Sequence, residues 1–174
     1  MIDLKNNNFV KIIGNFMEKD IKKEKSYYDS PVGILEITCL DNKLISLRLV
    51  DKKVQNIKES AFIKNIKAQL EEYFLAERKN FDIKISLKGT DFQKRVWEEL
   101  IKIPYGKVKS YSEIANLIGN KNAQRAVGSA CNKNPVMIIV PCHRVIAKNG
   151  NIGGFAYGNK AKQKLLELEK NSGN

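Results

Sequence analysis

The segment Thr90–Asn132 reads TDFQKRVWEELIKIPYGKVKSYSEIANLIGNKNAQRAVGSACN and predicts three consecutive helices. Thr90 and Gln93 have the spacing of a capping box, in which a hydroxyl accepts from a backbone amide and the later side chain reaches back. Ser110 and Glu113 repeat this spacing at the start of the second helix. A short connection that contains glycine separates the second helix from the third. Two short helices joined in this way are typical of a helix-turn-helix motif.

The third predicted helix, at about 122–132, consists mainly of small residues, with Arg125 as its only side chain suited to reading bases. Small side chains allow a helix backbone to approach a partner surface closely, and a nucleic-acid groove is one such surface. The helical spacing assigns four apolar residues to the inner stripe of this helix: Ala123, Ala126, Val127 and Ala130. Cys131, four residues beyond Val127, is expected to lie with them as a core thiol.

The N-terminal half shows the pattern of a sheet with one helix. Residues 34–40 and 43–50 are strand candidates, and the dipeptide Asp41-Asn42 between them suits a two-residue hairpin turn. Apolar residues at helical spacing then predict a helix over 59–76 that packs one stripe on the hairpin.

These patterns predict an α+β protein with two domains. Residues 1–88 form a small antiparallel sheet with a helix, and residues 89–174 form a mostly helical domain that carries the helix-turn-helix motif. Residues 1–25 are an extension of undecided role, with one strand candidate at Phe9–Ile13. A length of 174 residues suits one large domain or two small ones.

The charge of the chain is strongly positive. It carries 31 basic and 19 acidic side chains, which gives a formal net charge of +12. Between residues 100 and 164 there are 11 basic residues, and Glu113 is the only acidic one. A field of this sign attracts polyanions, of which nucleic acid is the usual one. In the N-terminal half, a lysine-rich surface that serves solubility alone is an equally good interpretation.

Cysteine and histidine are scarce, with three and one in the chain. An odd and sparse set of cysteines argues against a disulfide framework and favours a reducing cytoplasm. A site with two histidine ligands is excluded and no C-x-x-C pair is present, so we expect no metal. The apolar runs are too short to span a bilayer, and the polar beginning of the chain does not resemble a signal peptide.

The segment Asn134–Ile146, NPVMIIVPCHRVI, contains the candidate chemistry. We expect its apolar run between two prolines to be buried and to bring Cys142 to the edge of a core. His143 follows directly, and a cysteine beside a base is the minimal activated nucleophile. Neighbouring residues of an extended chain point to opposite sides, so proton transfer requires a turn at 141–144 or a bridging water. A buried thiol beside an incidental histidine is the alternative.

Several short blocks between Gly89 and Glu169 have a distinctive order and spacing. They are Phe92-Gln93-x-x-Val96-Trp97, Ile103-Pro104-Tyr105-Gly106, Ser110-Tyr111, Arg125-Ala126-Val127-Gly128, Asn134-Pro135, Pro141-Cys142-His143-Arg144-Val145-Ile146 and Gly153-Gly154. The blocks resemble the O6-alkylguanine-DNA alkyltransferases, or methylated-DNA–protein-cysteine methyltransferases, and the hairpin and helix before them resemble the family's N-terminal domain. The resemblance implies a ribonuclease-H-like N-terminal domain and a winged-helix-like C-terminal domain.

The resemblance implies a catalytic role for five residues. Cys142 would take the alkyl group from O6 of guanine, and His143 would remove the thiol proton through a water molecule. Glu169 would orient His143 and balance its charge. Asn134 would fix the active-site loop, and Tyr111 would help to neutralise the leaving guanine. No nearby group can hydrolyse a thioether on the cysteine, so each molecule would act once.

The resemblance also implies how the protein holds DNA and substrate. Arg125 would enter the duplex and replace the flipped nucleotide, because a buried thiol cannot reach O6 of a paired guanine. The other residues expected at the DNA are Ala123, Ala126, Ser129, Tyr111 and Lys133. The residues expected to line the substrate pocket are Met137, Val145, Phe155 and Ala156.

The sequence departs from the family pattern at one end of this pocket. Phe155-Ala156-Tyr157 stands where the family commonly has Tyr-Ser-Gly. Ala156 therefore offers only its backbone amide to O6, and we expect activity with an altered preference among alkyl groups. The single histidine also makes the N-terminal zinc site of some relatives implausible.

We therefore expect a monomeric, cytoplasmic DNA-repair enzyme that acts on double-stranded DNA containing O6-alkylguanine and needs no cofactor. Three alternatives are a binding-only sensor of alkylation damage, a winged-helix regulator whose Cys142 senses redox state, and a cysteine hydrolase. The presence of Cys142 argues against the first, and the small side chains of the helix at 122–132 argue against the second. A cysteine hydrolase would need neither Arg125 nor the basic face.

Overall fold

The first half of the chain contains a three-stranded antiparallel sheet, whose strands lie side by side in sequence order. The computed structural model describes residues 22–54 and 59–171, so the strand predicted over Phe9–Ile13 lies outside the described residues. The three strands are β1 (Lys23–Ser30), β2 (Gly33–Leu40) and β3 (Lys43–Val50).

The hairpin between β2 and β3 has the predicted two-residue turn. Asp41 and Asn42 have φ angles of 49° and 55°, which is the left-handed conformation that a type I′ turn requires at both central positions. Asp and Asn adopt this conformation more readily than most residues, because their short polar side chains can hydrogen-bond locally. The local sequence therefore determines the register of the hairpin.

Helix α1 (Ala61–Phe74) packs on the sheet and confirms the helix predicted over 59–76. It begins where Ser60 accepts a hydrogen bond from the backbone amide of Ile63. Four residues at helical spacing form its buried stripe and join the sheet residues in one core: Ile63, Ile66, Leu70 and Tyr73.

The second half of the chain begins with three helices, as predicted. Both capping boxes are present; at the second of them, Ser110 accepts from the amide of Glu113, and Glu113 Oε2 accepts from the amide of Ser110 at 2.7 Å. The third helix begins two residues later than predicted, after Ala123, which has no side-chain acceptor to cap it. The helices are α2 (Asp91–Ile101), α3 (Tyr111–Leu117) and α4 (Gln124–Asn132).

The inner stripe of α4 differs from the prediction. The difference is at Ala126, which is exposed, whereas Val127, Ala130 and Cys131 are buried as expected. Positions 123, 127, 130 and 131 follow the i, i+4, i+7, i+8 spacing of one helix face, and position 126 falls beside it. The assignment of Ala126 to the inner stripe is therefore wrong. Ala123, which was expected at the DNA, is only 7 % exposed and offers little surface to a nucleic acid.

The apolar segment after α4 connects the two halves of the chain. The amide of Leu47 in β3 donates to the carbonyl of Pro135 at 2.8 Å, and the amide of Met137 donates to the carbonyl of Leu47 at 3.0 Å. Four of the five apolar residues between the prolines are buried as predicted, and Ile139 is partly buried: the four are Val136, Met137, Ile138 and Val140. A single cluster of buried side chains contains residues from both halves, so the sheet supports the helical part directly.

Beyond this segment the chain turns back toward the helix-turn-helix motif. A 3-10 turn (Cys142–Arg144) leads into the short strand β5 (Val145–Ile146). That strand pairs in parallel with β4 (Lys109–Ser110), which immediately precedes α3. The last helix, α5 (Asn159–Asn171), packs against the 3-10 turn.

We expect Ser110→Ala to lower the free energy of unfolding by about 1 kcal/mol, because the first turn of α3 loses its cap. Urea unfolding of the two proteins measures the difference. Asn116→Ala, an exposed change on the same helix, is the control and should cost no stability. An equal loss in both variants would contradict the role assigned to the cap.

Candidate active site

The candidate nucleophile, Cys142, begins the 3-10 turn, so the chain bends at 141–144, which is one of the two arrangements that the sequence left open. The residue is only 4 % exposed. Asn134 Nδ2 donates to Cys142 Sγ at 3.1 Å and to the carbonyl of Val140 at 2.7 Å. Asn134 Oδ1 accepts from the amide of Val136 at 3.0 Å. One side chain therefore fixes both the buried loop and the sulfur atom.

His143 is fully buried and is oriented by α5. Its Nε2 lies 2.8 Å from Glu169 Oε1, and its Nδ1 has no hydrogen-bond partner among the described residues. Because an ionised carboxylate only accepts, Nε2 carries the proton and Nδ1 keeps a free lone pair. Burial lowers the pKa of His143, although Glu169 opposes this effect. The imidazole is therefore a neutral base whose basic atom is Nδ1.

The carboxylate of Glu169 receives five hydrogen bonds. Oε1 accepts from His143 Nε2, Arg144 Nη2 and Tyr73 Oη, each at 2.8 Å. Oε2 accepts from Arg144 Nε at 2.9 Å and from the amide of Gly106 at 3.1 Å. Burial alone would raise the pKa of Glu169, but the hydrogen bonds from His143 and Arg144 outweigh it and hold the pKa at about 2. The group is therefore a buried anion at neutral and mildly acidic pH.

Lys162 is a site residue that the sequence analysis missed. It is fully buried in α5, and its Nζ donates to the carbonyls of Val145 at 2.6 Å and Gly154 at 3.4 Å. Its ammonium also lies 5.8 Å from the centre of the Tyr111 ring. Because α5 is rich in lysine, composition alone does not distinguish Lys162 from the exposed lysines. Its position three residues before the buried Leu165 places it on the same helix face, and this spacing could have indicated its burial.

Opposing effects act on the Cys142 thiol. Burial raises its pKa, whereas the hydrogen bond from Asn134, the charge of Lys162 and the backbone amides of Cys142 and His143 lower it. Burial in turn lowers the pKa of Lys162, and the negative charge of a Cys142 thiolate opposes that. Burial outweighs these groups, so the pKa of Cys142 lies above its ordinary value and the thiol needs a base to become a thiolate; the polar groups reduce the cost of forming it.

Tyr111 begins α3 and faces the loop after β5. Its Oη donates to the carbonyl of Gly154 at 3.3 Å, the same oxygen that Lys162 reaches. Burial, with smaller effects of Cys131 and Cys142, raises the pKa of Tyr111 to about 12. The Tyr111 hydroxyl therefore stays protonated and acts as a donor.

The residues expected to line the pocket lie at two depths. Met137 and Val145 are fully buried in the core, and Phe155 is partly buried. The ring of Phe155 meets the ring of Tyr157 edge to face, with centroids 5.7 Å apart. Ala156 is exposed. The loop at 153–157 therefore presents an aromatic pair near the core residues around the thiol.

The DNA-contacting candidates, apart from Ala123, are accessible. Arg125, Ala126 and Ser129 are exposed on one side of α4, and Lys133 is exposed at its end. Val127, Ala130 and Cys131 hold the opposite side of the helix in the core. The accessible side has one long cation among small residues, which suits close approach to a nucleic-acid backbone.

In the described ranges, no helix combines the length and apolar character needed to cross a bilayer.

A buried thiol beside a His–Glu pair, joined through β5 and β4 to a helix-turn-helix motif, is the arrangement expected of DNA-binding proteins that act through a nucleophilic cysteine. Residues 91–171 match the family model of the 6-O-methylguanine DNA methyltransferase DNA binding domain, and residues 24–87 match that of its ribonuclease-like domain. The chain belongs to the family of methylated-DNA–protein-cysteine methyltransferases, enzymes that repair DNA by transferring an alkyl group to one of their own cysteines.

Individual relatives support this assignment over most of the chain. The methylated-DNA–protein-cysteine methyltransferase of Methanosarcina acetivorans is 43% identical over 148 residues, which cover 82% of this chain and 95% of the relative. The crystal structure of the Mycobacterium tuberculosis O6-methylguanine methyltransferase has a TM-score of 0.80 at 41% identity, covering 88% of this chain and 96% of that one. A structure of M. tuberculosis OGT in complex with DNA has a TM-score of 0.78 at 44% identity, covering 84% of this chain and 92% of that one.

The pKa of about 2 for Glu169, against an ordinary value of 4.5, predicts how stability depends on pH. The ionised carboxylate contributes its full stability above about pH 4.5, and the contribution is lost as the pH falls toward 2. We expect Glu169→Gln to lower the free energy of unfolding at pH 7 by about 3–5 kcal/mol, because Arg144 loses its buried partner.

In Glu169→Gln, the free energy of unfolding should no longer decrease between about pH 4.5 and pH 2 through this group. Urea unfolding between pH 7 and pH 3 measures both effects. Glu167→Gln, an exposed change on the same helix, should leave the curve close to that of the parent protein. If Glu169→Gln and the parent lost stability in parallel on acidification, the low pKa would be refuted.

Proposed function

We propose that Cys142 is the residue that receives the alkyl group, and that the substrate is O6-alkylguanine in double-stranded DNA. The observation that carries this assignment is the contact of Cys142 Sγ with Asn134, beside the His143–Glu169 pair. Cys39 is a poorer candidate for the nucleophile. It lies within the sheet, and burial, with a smaller effect of Glu24, raises its pKa to about 11.

The third thiol, Cys131, is a poorer nucleophile than Cys142. Burial, and after it the charge of Cys142, raises the pKa of Cys131 to about 12. Lys162 is the group that opposes this increase, whereas Cys142 has in addition the amide of Asn134 and two backbone amides. Hydrogen-bond donors on a sulfur atom favour its thiolate form.

In the first step, the proton of Cys142 passes through a water molecule to Nδ1 of His143. Glu169 stabilises the imidazolium through Nε2, which is the logic of a triad with a nucleophile, a base and an orienting acid. The nearby charge of Lys162 and the amide of Asn134 stabilise the thiolate. A buried thiol of raised pKa thus becomes reactive without a metal or cofactor.

In the second step, the thiolate attacks the alkyl carbon, a carbon–sulfur bond forms and the bond between that carbon and O6 breaks. The electron pair of the broken bond stays on the guanine. The proton that His143 took up is finally transferred to the guanine. Tyr111 donates a hydrogen bond to the guanine as its charge develops, and its pKa of about 12 keeps it a donor. The product is a thioether, which makes the reaction irreversible and limits each molecule to one alkyl group.

This chemistry requires a base that is flipped out of the duplex. The exposed side of α4 would hold the DNA in that state. We propose that Arg125 occupies the space of the flipped nucleotide, since opening the stack costs a few kcal/mol. Ala126 and Ser129 then let the helix lie close in the minor groove, and Lys133 meets a phosphate. Tyr111 would contact the DNA from the start of α3.

We propose that the pocket is formed by Met137, Val145, Phe155 and the backbone of Ala156. Phe155 offers a face on which guanine can stack, and the amide of Ala156 is the donor to O6. Tyr157 beside Phe155 narrows the pocket relative to a glycine, so the preference among alkyl groups should be altered. These assignments rest on the positions of the loop and of the buried residues below it.

We also propose a domain boundary between residues 88 and 89, and a monomer that acts in the cytoplasm without a cofactor. The boundary is supported by the two family models, which end at 87 and begin again at 91. The monomer is the state that the family resemblance implies, and it remains a proposal. The scarcity of cysteines supports a reducing compartment.

Mass spectrometry after incubation with O6-methylguanine DNA tests the central assignment. We expect the peptide that contains Cys142 to gain the mass of one CH2 group, with no more than one equivalent transferred per protein. Cys142→Ser should leave the lesion in place, whereas Cys131→Ser, which removes the neighbouring thiol, should still repair it. Methylation of any other residue, or repair by Cys142→Ser, would disprove the proposal.

The role of Arg125 is tested by comparing two substrates. We expect Arg125→Ala to slow repair of duplex DNA about tenfold or more, because the flipped state loses its replacement side chain. Reaction with free O6-benzylguanine should change little, since a free base needs no flipping. Lys133→Ala removes the same charge from the other end of α4 and should weaken DNA binding in a salt-dependent way. Equal losses of Arg125→Ala on both substrates would contradict the assignment.

A further inference from the structure

We propose that Tyr73 is a positioning residue that sets the basicity of His143 through Glu169. Tyr73 belongs to α1, so the N-terminal half would act in the reaction through one hydroxyl. The inference rests on the proposed role of His143 as the base, and it adds a residue that is remote in sequence from every motif of the site.

The geometry around Glu169 Oε1 carries this proposal. Tyr73 Oη donates to Oε1 at 2.8 Å, and the same oxygen accepts from His143 Nε2 and from Arg144 Nη2 at 2.8 Å. A carboxylate oxygen has two lone pairs, so three donors at this distance compete for its charge. The hydroxyl of Tyr73 therefore takes part of the interaction that would otherwise stabilise a protonated His143.

The ring of Tyr73 is held in place, which fixes the position of its hydroxyl. The residue is fully buried. Its ring centroid lies 5.2 Å from that of Phe74, 5.4 Å from that of Phe81 and 6.0 Å from that of Tyr105. Burial raises the pKa of Tyr73 well above its ordinary value, and the charge of Glu169 adds to this, so the hydroxyl stays a donor throughout the working pH range.

Removal of the hydroxyl should make His143 more basic. With one donor fewer, Oε1 interacts more strongly with His143 Nε2 and favours the imidazolium form. The charged groups that act on His143 are Glu169, Arg144 and Lys162, and all three stay in place in a Tyr73→Phe variant. The pKa of His143 should therefore rise, and the acidic limb of the alkyl-transfer rate should move to higher pH.

The single histidine of the chain makes this effect directly measurable. In untagged protein labelled with 15N-histidine, the imidazole signals report His143 alone. We expect Tyr73→Phe to raise the pH at which these signals titrate by about half a unit or more, as one hydrogen bond to a charged group would do. The acidic limb of single-turnover methyl transfer should shift by the same amount.

Tyr105→Phe is the matched control. The hydroxyl of Tyr105 is buried and has no hydrogen-bond partner among the described residues, and its ring adjoins that of Tyr73. Loss of this hydroxyl should leave the titration of His143 unchanged. Replacement of the tyrosines by 3-fluorotyrosine keeps the Tyr73 hydroxyl, strengthens it as a donor, and should lower the pKa of His143.

The outcomes separate the two proposals. If His143 titrates at the same pH in the parent, in Tyr73→Phe and in the fluorinated protein, Tyr73 only fills the core and the inference is wrong. If the NMR titration shifts but the rate profile does not, Tyr73 tunes His143 as inferred, while the role of His143 as the base fails. A shift of both supports the inference and the proposed function together.

Discussion

The buried carboxylate of Glu169 is the group on which the rest of the structure depends. Its five hydrogen bonds come from α1, from the turn after α2 and from the 3-10 turn. A buried anion is tolerated only when its lone pairs are satisfied, so these elements must assemble around α5 together. The same constraint that closes the fold also orients the imidazole beside Cys142.

The loop that carries the sulfur atom is held with some conformational strain. Ile138, a buried β-branched residue, has a φ of 71°, a conformation that costs about 1–3 kcal/mol. Backbone hydrogen bonds to Leu47 and the side chain of Asn134 keep the loop in this form. The sheet and the asparagine thus offset a local cost, and the thiol gains a fixed position.

The features that the sequence predicted are those governed by neighbouring residues. The capping boxes and the turn at Asp41-Asn42 depend on a few adjacent side chains, so they could be recognised locally. Lys162 and Tyr73 could not be recognised in this way, because their roles depend on groups that are far away in the chain. Ala126 was misplaced because alanine suits either face of a helix, and only packing against the core decides which face is buried.

The pairing of β4 with β5 has a mechanical consequence. Ser110, the last residue before α3, lies opposite Ile146, and Lys109 lies opposite Val145. Only His143 and Arg144 thus separate Cys142 from a ladder whose other strand leads directly into the helix-turn-helix motif. The reactive turn and the first residues of the helix-turn-helix motif are therefore parts of one hydrogen-bonded unit, so the distance between the thiol and the DNA-facing helices is fixed by the backbone itself.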